Sequence, residues 1–244
     1  MGIGWAPEGM RRGGQVFRLV VVVSTGTKEI FHMDRLLIVP AKETSTMDRR
    51  TSAPRRHATR TALVSAARLA GWADRFAASH GPVVEDFDDA GLLLRAADGA
   101  TALLRAPWPA DGRPGRGPNE LQRLASLAAQ ERGLGLVLVR RGGYVVASAG
   151  GTTILASKSG NRFIDARSTA EHAARIFAAH VVEYIVPGGD RALVDQVLAQ
   201  PALKAFTGRT RLPFLDVQDV KAAGLQKAAA DACSVRITVT DPVG

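Results

Sequence analysis

The stretch LVLVRRGGYVVASAGGTTILASKSG, from Leu136 to Gly160, decides the fold of this chain. Three apolar segments within and just before it predict strands over Gly135–Arg140, Tyr144–Ala149 and Thr153–Lys158. Two glycine pairs separate these segments, and such short glycine-containing connections are typical of β-hairpins. The stretch therefore predicts an antiparallel three-strand meander.

A β-α-β pattern follows the meander. Residues Ser168–Ala179 have helical spacing, and the capping-box sequence Ser168-Thr169-Ala170-Glu171 opens them. The apolar run Val181–Val186 predicts a strand that is buried on both faces. Gly188-Gly189-Asp190 then predicts a structural turn into a helix over Arg191–Leu198, with Asp190 as its N-cap.

Two more elements complete this part of the chain, a helix over Val217–Asp231 and a final strand over Ser234–Thr240. Three antiparallel strands followed by β-α-β elements imply a mixed sheet with helices on its faces. We therefore predict an α/β (α+β) fold whose domain over 119–244 has a ribonuclease H-like mixed sheet and starts with a helix that Asn119 caps. This architecture supports many unrelated functions, so it does not by itself assign one.

A small α+β unit over 62–106 is predicted to precede that domain. It has a helix over Ala66–His80 and two strands, Gly91–Arg95 and Ala100–Arg105. Between the helix and the strands lies an acidic cluster, which we interpret as a polar loop rather than a metal site: Glu85, Asp86, Asp88 and Asp89. Residues 107–118 are rich in proline and glycine and predict a linker between the two units.

The first 61 residues have a different character from the rest. Residues 1–60 carry 11 Lys and Arg against 5 Asp and Glu, a net charge of +6 out of +9 for the whole chain. Two apolar stretches, Val16–Val23 and Ile30–Val39, predict a hairpin, and the basic segment Ala41–Ala62 predicts a disordered linker. Two interpretations stay open: the basic segment is a solvated tether, or translation begins near residue 60.

Composition excludes several classes of protein. The longest purely aliphatic run, Leu19–Val23, is far shorter than the ~20 residues of a membrane span. A single cysteine, Cys233, excludes an internal disulfide and suits a reducing cytoplasm. The five histidines have no two-ligand helical spacing, so we expect neither a metal site nor a cofactor. The net charge of +9 makes a polyanion the first partner to consider.

An ordered series of short motifs carries a resemblance to a known family. The motifs are Gly142-Gly143-Tyr144, Leu155-Ala156-Ser157-Lys158, Arg162-Phe163, Gly188-Gly189-Asp190-Arg191 and Phe214-Leu215-Asp216-Val217. Together they resemble the VLRF-type release factors of Actinobacteria and Chloroflexi, relatives of the central domain of eukaryotic and archaeal class-one release factors. The similarity runs from about residue 62 to 242.

The resemblance implies a peptidyl-tRNA hydrolase that releases nascent chains from stalled ribosomes. In that family the chemistry belongs to a loop between the third meander strand and a long basic helix, with a glycine pair and a glutamine. Small residues let such a backbone approach the ester, where it positions water and stabilises developing charge. No glycine pair or glutamine stands between Arg162 and Val186, and Gly13-Gly14-Gln15 lies far from the expected position, so we assign no catalytic residue.

Basic residues in and beside the meander are the candidate RNA contacts. They are Arg140, Arg141, Lys158, Arg162 and Arg167. Arginine and lysine contacts to phosphates add affinity that depends on salt and not on base sequence. We predict a cytoplasmic protein that binds the large ribosomal subunit or tRNA with weak or absent hydrolysis. The alternatives are an active peptidyl-tRNA hydrolase for ribosome rescue and a protein-interaction domain that contacts no RNA.

Overall fold

A computed structural model describes residues 58–161 and 165–242. The helices in these ranges are α1 Ala66–His80, α2 Glu120–Ala128, α3 Ala166–Ala178, α4 Arg191–Leu198 and α5 Ala222–Ala232, with a 3-10 helix over Pro201–Phe206. The strands are β1 Thr59–Val64, β2 Val83–Asp88, β3 Gly91–Ala96, β4 Thr101–Arg105, β5 Gly133–Arg140, β6 Gly143–Gly150, β7 Thr153–Gly160, β8 Tyr184–Gly189, β9 Thr210–Arg211 and β10 Val235–Thr240. None of the described helices is both long and apolar enough to cross a membrane.

The strands form two sheets. Sheet I has the order β1-β10-β4-β3-β2 and is antiparallel throughout. Leu92, Leu104 and Ile237 are fully buried on one of its faces, against Leu69 of α1 and Leu124 of α2. Sheet I therefore has the half-covered form common for antiparallel sheets, with helices on a single face.

Sheet II has the order β7-β6-β5-β8-β9. Strands β5, β6 and β7 are antiparallel neighbours, whereas β8 pairs parallel to both β5 and β9. This is the predicted mixed sheet with its three-strand meander. The prediction of an α/β fold is confirmed.

Successive side chains of β5 point to opposite faces of sheet II, so this strand contributes to a hydrophobic core on each face. Leu136 and Leu138 are fully buried on the face that packs against α5 and the 212–217 segment. Val137 and Val139 are equally buried on the opposite face, against α3, α4 and the 3-10 helix. Because both faces are covered, β5 has no exposed position between its two ends, which explains its continuous apolar sequence.

Three strands of sheet I differ from the sequence-based expectation. The acidic cluster predicted as a polar loop lies in and just after β2, which forms one edge of sheet I. The basic segment predicted as a linker ends in β1, which pairs with β10 over six residues, from Thr59↔Thr240 to Val64↔Val235. Strand β10, expected to close the release-factor-like domain, therefore lies in sheet I between β1 and β4.

Several boundaries also differ. Helix α3 begins before the predicted capping box, because Asp165 is the N-cap and its carboxylate accepts a hydrogen bond from the Ser168 N–H at 2.6 Å. Strand β8 begins at Tyr184, and Val181 before it is 74% exposed. Helix α5 begins at Ala222. The predicted N-terminal hairpin, and most of the linker after it, lie outside the described residues, and the domain boundaries stay a prediction.

A polar network at the amino end of sheet II attaches the 107–118 segment to this sheet. The fully buried Arg132 guanidinium donates to Gln130 Oε1 at 2.7 Å, to the Ala110 carbonyl at 3.1 Å and to Glu183 Oε2 at 3.4 Å. Glu183 accepts from the Gly133 N–H at 3.0 Å, and it pairs with Arg113 of the segment. We call this arrangement the linker clamp.

The linker clamp also shifts two ionisable groups. Partial burial raises the pKa of Glu183, but the Gly133 N–H and the Arg113 charge outweigh it, so the net pKa is lowered. Burial, helped by a hydrogen bond to Asp111, raises the pKa of Tyr184 to about 12. The native arrangement therefore favours an ionised Glu183 and a neutral Tyr184.

Candidate nucleic-acid interface at one edge of sheet II

One edge of sheet II gathers the candidate RNA-contacting residues. Strand β5 ends there at Arg140, opposite Gly143 at the start of β6, and β7 ends beside them at Gly160. Strand β8 ends at the same edge, where Gly189 pairs with Val139. The helices α3 and α4 follow directly from this edge, so two helix N-termini lie near the same strand ends. We call this region the basic edge.

Arg140 and Arg141 have different environments at the basic edge. Arg140 is half-buried, and its Nη1 donates to the Val217 carbonyl at 2.8 Å and to Gln218 Oε1 at 3.2 Å. It therefore holds the segment before α5 against sheet II. Arg141 is exposed and lines a cleft of about 440 Å³ with Gly142, Gly189 and Asp190. Of the two, Arg141 is the better placed to contact a ligand.

The other candidates are spread more widely. Lys158 is exposed on β7 opposite Val146, two residues before the strand ends. Arg167 lies in the first turn of α3, with its side chain 83% exposed and paired to Glu171 at 3.0 Å. Arg162 lies outside the described residues. The fold thus brings Arg140, Arg141 and Lys158 to one sheet edge and places Arg167 at the start of the adjoining helix.

Carboxylates from distant parts of the sequence share the basic edge. Asp165 and Asp190 cap α3 and α4, and Asp219 accepts from the Lys221 N–H at 3.0 Å. Asp216 accepts from the Gln218 side chain at 2.6 Å. These groups are engaged with nearby N–H donors, but their charges reduce the positive potential of the edge. The sequence window 140–167 shows only Asp165, so this balance was not visible before the fold was known.

The glycine pair predicted as a structural turn forms the last two residues of β8. The Gly189 N–H donates to the Leu215 carbonyl at 3.2 Å, and the Asp190 N–H donates to the Val139 carbonyl at 2.7 Å. Gly189 has a φ of +99°, and a Cβ there would overlap the Val139 oxygen. A Cβ at Gly188 would lie 2.9 Å from a methyl group of Leu138. Close packing therefore accounts for both glycines, and the chain then enters α4 as predicted.

Two basic residues at this edge were missed by the sequence analysis. Lys221 precedes α5 and lines a second cleft of about 490 Å³, which Arg140, Asn161 and Gln218 also line. Arg191 begins α4, and its guanidinium lies over the Phe214 ring at 4.3 Å. Both come from the β-α-β half of the domain. Only the pairing of β8 with β5 reveals that they lie near the meander end.

The connection from β7 to α3 is short. Strand β7 ends at Gly160 and α3 begins at Ala166, so five residues join them. Five residues span at most about 18 Å when fully extended. A connection of this length that is anchored at both ends can reach at most about half that distance from the strand end. This position is where the family resemblance places the catalytic loop.

Among residues 58–161 and 165–242, no group of three or more His, Cys, Asp or Glu side chains is arranged to hold a metal ion. Gly13-Gly14-Gln15 lies outside the described residues. What the basic edge offers is a set of exposed cations beside two clefts, an arrangement suited to binding phosphate groups.

Part of this α/β structure is similar to a known protein family. A family model described as the Actinobacteria/Chloroflexi VLRF1 release factor matches residues 165–238, from the N-cap of α3 into β10. This match confirms the resemblance to that family and supports a release-factor-like role in translation. It includes the motifs at Gly188–Arg191 and Phe214–Val217, whereas the meander motifs lie before it. No curated protein matches the chain.

Proposed function

We propose that this protein binds the large ribosomal subunit or tRNA through the basic edge, and that it has little or no peptidyl-tRNA hydrolase activity. The family match supports the translation role, and the exposed cations Arg141, Lys158 and Arg167 supply the phosphate contacts. Such a role belongs in the cytoplasm, where ribosomes work. The domain over 119–244 is the proposed ribosome-binding part.

The observation that carries the proposal is the five-residue connection between β7 and α3. A hydrolytic loop needs length to reach the peptidyl transferase centre, and small residues to let its backbone approach the ester. The connection holds Asn161, Asp165 and three residues between them, with neither glycine nor glutamine. Compared with the family that it resembles, the chain therefore keeps a surface for binding RNA, whereas the segment that would carry the chemistry is shortened.

Cosedimentation with isolated large subunits over a salt series tests the binding half. We expect binding at low salt whose affinity falls steeply as salt rises, because bound phosphates release counterions. Replacing Arg141 with alanine should lower the slope of log affinity against log salt by about 1. The matched control is Arg68→Ala. Arg68 is an exposed arginine on α1, which packs against sheet I, so its replacement should leave the slope unchanged.

Release of peptide from peptidyl-tRNA on the same subunits tests the catalytic half. We expect a rate no higher than that of subunits alone. Efficient release would instead support the active hydrolase and refute our interpretation of the short connection. Parallel titrations with free tRNA distinguish the two RNA partners. Binding to neither RNA at low salt would leave the protein-interaction domain as the function.

A further inference from the structure

Strand β2 is an exposed edge of sheet I with an unusual composition. Its residues and the next one read VVEDFDD, from Val83 to Asp89, and contain four carboxylates without a lysine or arginine. Strand β3 is its neighbour on one side, and no other described strand pairs with it. An acidic edge stands out in a chain whose net charge is +9.

The outward backbone groups of β2 follow from its pairing with β3. The Ala97 N–H donates to the Pro82 carbonyl at 3.0 Å, in the same register that pairs Val83 with Ala96. Hydrogen-bonded and non-hydrogen-bonded pairs alternate along an antiparallel ladder. The N–H and C=O groups of Val83, Glu85 and Phe87 consequently point away from β3, toward the free edge. They form a template on which another strand can pair.

The two faces of β2 carry different chemistry. Phe87 pairs with Leu92, which pairs with Leu104, so these three side chains lie in one row on the helix-covered face. Leu92 and Leu104 are fully buried, but Phe87 at the end of the row is 60% exposed. On the open face lie Asp86 and Asp88. Arg95, whose Nη2 is 3.9 Å from Asp86, is the cation nearest to them among the described ion pairs.

The exposed end of that row opens into a cleft with a volume of about 690 Å³. Its lining includes the apolar residues Phe87, Leu92, Leu104, Trp108, Leu124 and Leu127. The Trp108 indole N–H is occupied by the Leu127 carbonyl at 3.1 Å, so the ring contributes an apolar surface. The cleft is thus suited to apolar side chains delivered along the β2 edge.

We propose that β2 binds a basic, extended peptide segment of a partner protein by strand addition. Backbone hydrogen bonds to Val83, Glu85 and Phe87 would give affinity, and alternate side chains would give specificity. Apolar side chains of the peptide enter the cleft beside Phe87, while its lysines or arginines face Asp86 and Asp88. A second copy of this chain fits poorly, because pairing two β2 strands brings like charges opposite each other. The carboxylates equally oppose an RNA ligand.

The probe is a fluorescein-labelled peptide of alternating lysine and valine, as long as β2, and binding to the full chain is measured by fluorescence anisotropy. We expect saturable binding that Asp86→Lys and Phe87→Ser each weaken by roughly 2- to 5-fold, the range for one lost cross-strand pair. The matched control is Leu155→Ser. Leu155 is 50% exposed and lies on β7, the outermost strand on one side of sheet II, so this change should leave the affinity for the peptide unaltered. Both β2 positions are exposed, and circular dichroism checks that each variant folds.

Two modified peptides test the two parts of the proposal, and the first of them separates strand addition from simple charge attraction. N-methylation of alternate amides removes the backbone donors and keeps the charge, so it should abolish binding. Replacing the lysines with glutamates should abolish it as well, because the acidic side chains then face Asp86 and Asp88. Equal binding of the N-methylated peptide, or an affinity that neither β2 variant lowers, would overturn the proposal. None of these outcomes depends on ribosome binding at the basic edge.

Discussion

Replacing Arg132 with methionine tests whether the linker clamp stabilises the fold. Methionine keeps much of the volume and removes the charge and every donor. Three acceptors then each lose the hydrogen bond from Arg132: the Gln130 side chain, the Ala110 carbonyl and Glu183. We expect a lower free energy of unfolding, because these polar groups were desolvated around a guanidinium that is no longer present.

The magnitude follows from the environment of each group. Removing one partner of a buried ion pair costs roughly 3–5 kcal/mol. Glu183 retains the Gly133 N–H and Arg113, and its side chain is 27% exposed, so its charge is still partly compensated. The expected loss is therefore at the low end, about 3 kcal/mol. For a chain of this size that corresponds to a fall in Tm of roughly 6–12 °C.

Urea denaturation followed by far-UV circular dichroism measures this loss. Tryptophan fluorescence adds a local probe, because Trp108 stacks on Tyr184 at a centroid distance of 6.2 Å within the same region. The control is Arg167→Met, which removes an 83% exposed arginine with an i,i+4 partner and should cost no more than about 0.5 kcal/mol. Trypsin should also cut the variant faster at Arg116, since the linker clamp attaches the segment around this residue to sheet II.

A loss of less than about 1 kcal/mol for Arg132→Met would refute this reasoning. Such a small loss would mean that water satisfies the hydrogen-bond acceptors of the network as well as Arg132 does. Unchanged trypsin cleavage together with a large loss of stability would show instead that Arg132 stabilises sheet II without fixing the segment.

Three further predictions concern single positions. Gly189→Ala should lower the free energy of unfolding by at least roughly 2 kcal/mol, because the φ of +99° and the Val139 oxygen both oppose a Cβ; Gly142→Ala, where a Cβ meets nothing within 4 Å, is the control in the same urea titration. Ser148→Ala should raise the free energy of unfolding by about 1 kcal/mol, because the buried Ser148 hydroxyl has no hydrogen-bond partner in the described structure. Its control is Ser234→Ala, which removes a 2.8 Å hydrogen bond to the Ala230 carbonyl and should lower the free energy of unfolding by a similar amount. Because the folded-state pKa of Glu183 is lowered, its contribution to the free energy of unfolding is present above the ordinary pKa of 4.5 and is lost as the pH falls through the folded-state pKa. Glu183→Gln should therefore reduce the fall in the free energy of unfolding at acid pH. An unchanged fall would contradict the assignment.

Local patterns predicted most elements of sheet II. The meander strands carry alternating or continuous apolar runs with glycine connections, and all three were located within about two residues, the usual uncertainty of element ends. The N-cap roles of Asn119 and Asp190 were also predicted, because an N-cap bond joins residues close in sequence. The start of α3 was wrong because Asp165 and Ser168 are both good capping residues three positions apart, and the sequence alone does not rank them.

Sheet I was predicted less well because its pairing is non-local. Strand β1 begins with the polar residues Thr59, Arg60 and Thr61 and shows no apolar alternation, so its conformation depends on the pairing with β10. Strand β2 is exposed on five of its six residues, so it has no buried face to produce alternation. Both are edge strands, where sequence patterns are weakest.

The basic edge was only partly predictable, because some of its contacts join residues that are far apart in the sequence. The positions of Arg140 and Arg141 at a hairpin end follow from the meander alone. The bond from Arg140 to the Val217 carbonyl joins residues 77 positions apart. Lys221 and the opposing aspartates likewise reach the edge through the topology, which no local pattern specifies.

The position of β10 has a consequence for how this protein is made. Synthesis proceeds from the amino terminus, and β10 lies in sheet I between β1 and β4, which are both translated well before it. The backbone groups of β1 and β4 that pair with β10 therefore lack these partners until β10 has been translated. Sheet II needs no such late segment, since all its strands precede α5. Its strands can pair first, and a chain that terminates before β10 would keep every strand of sheet II and lose a central strand of sheet I.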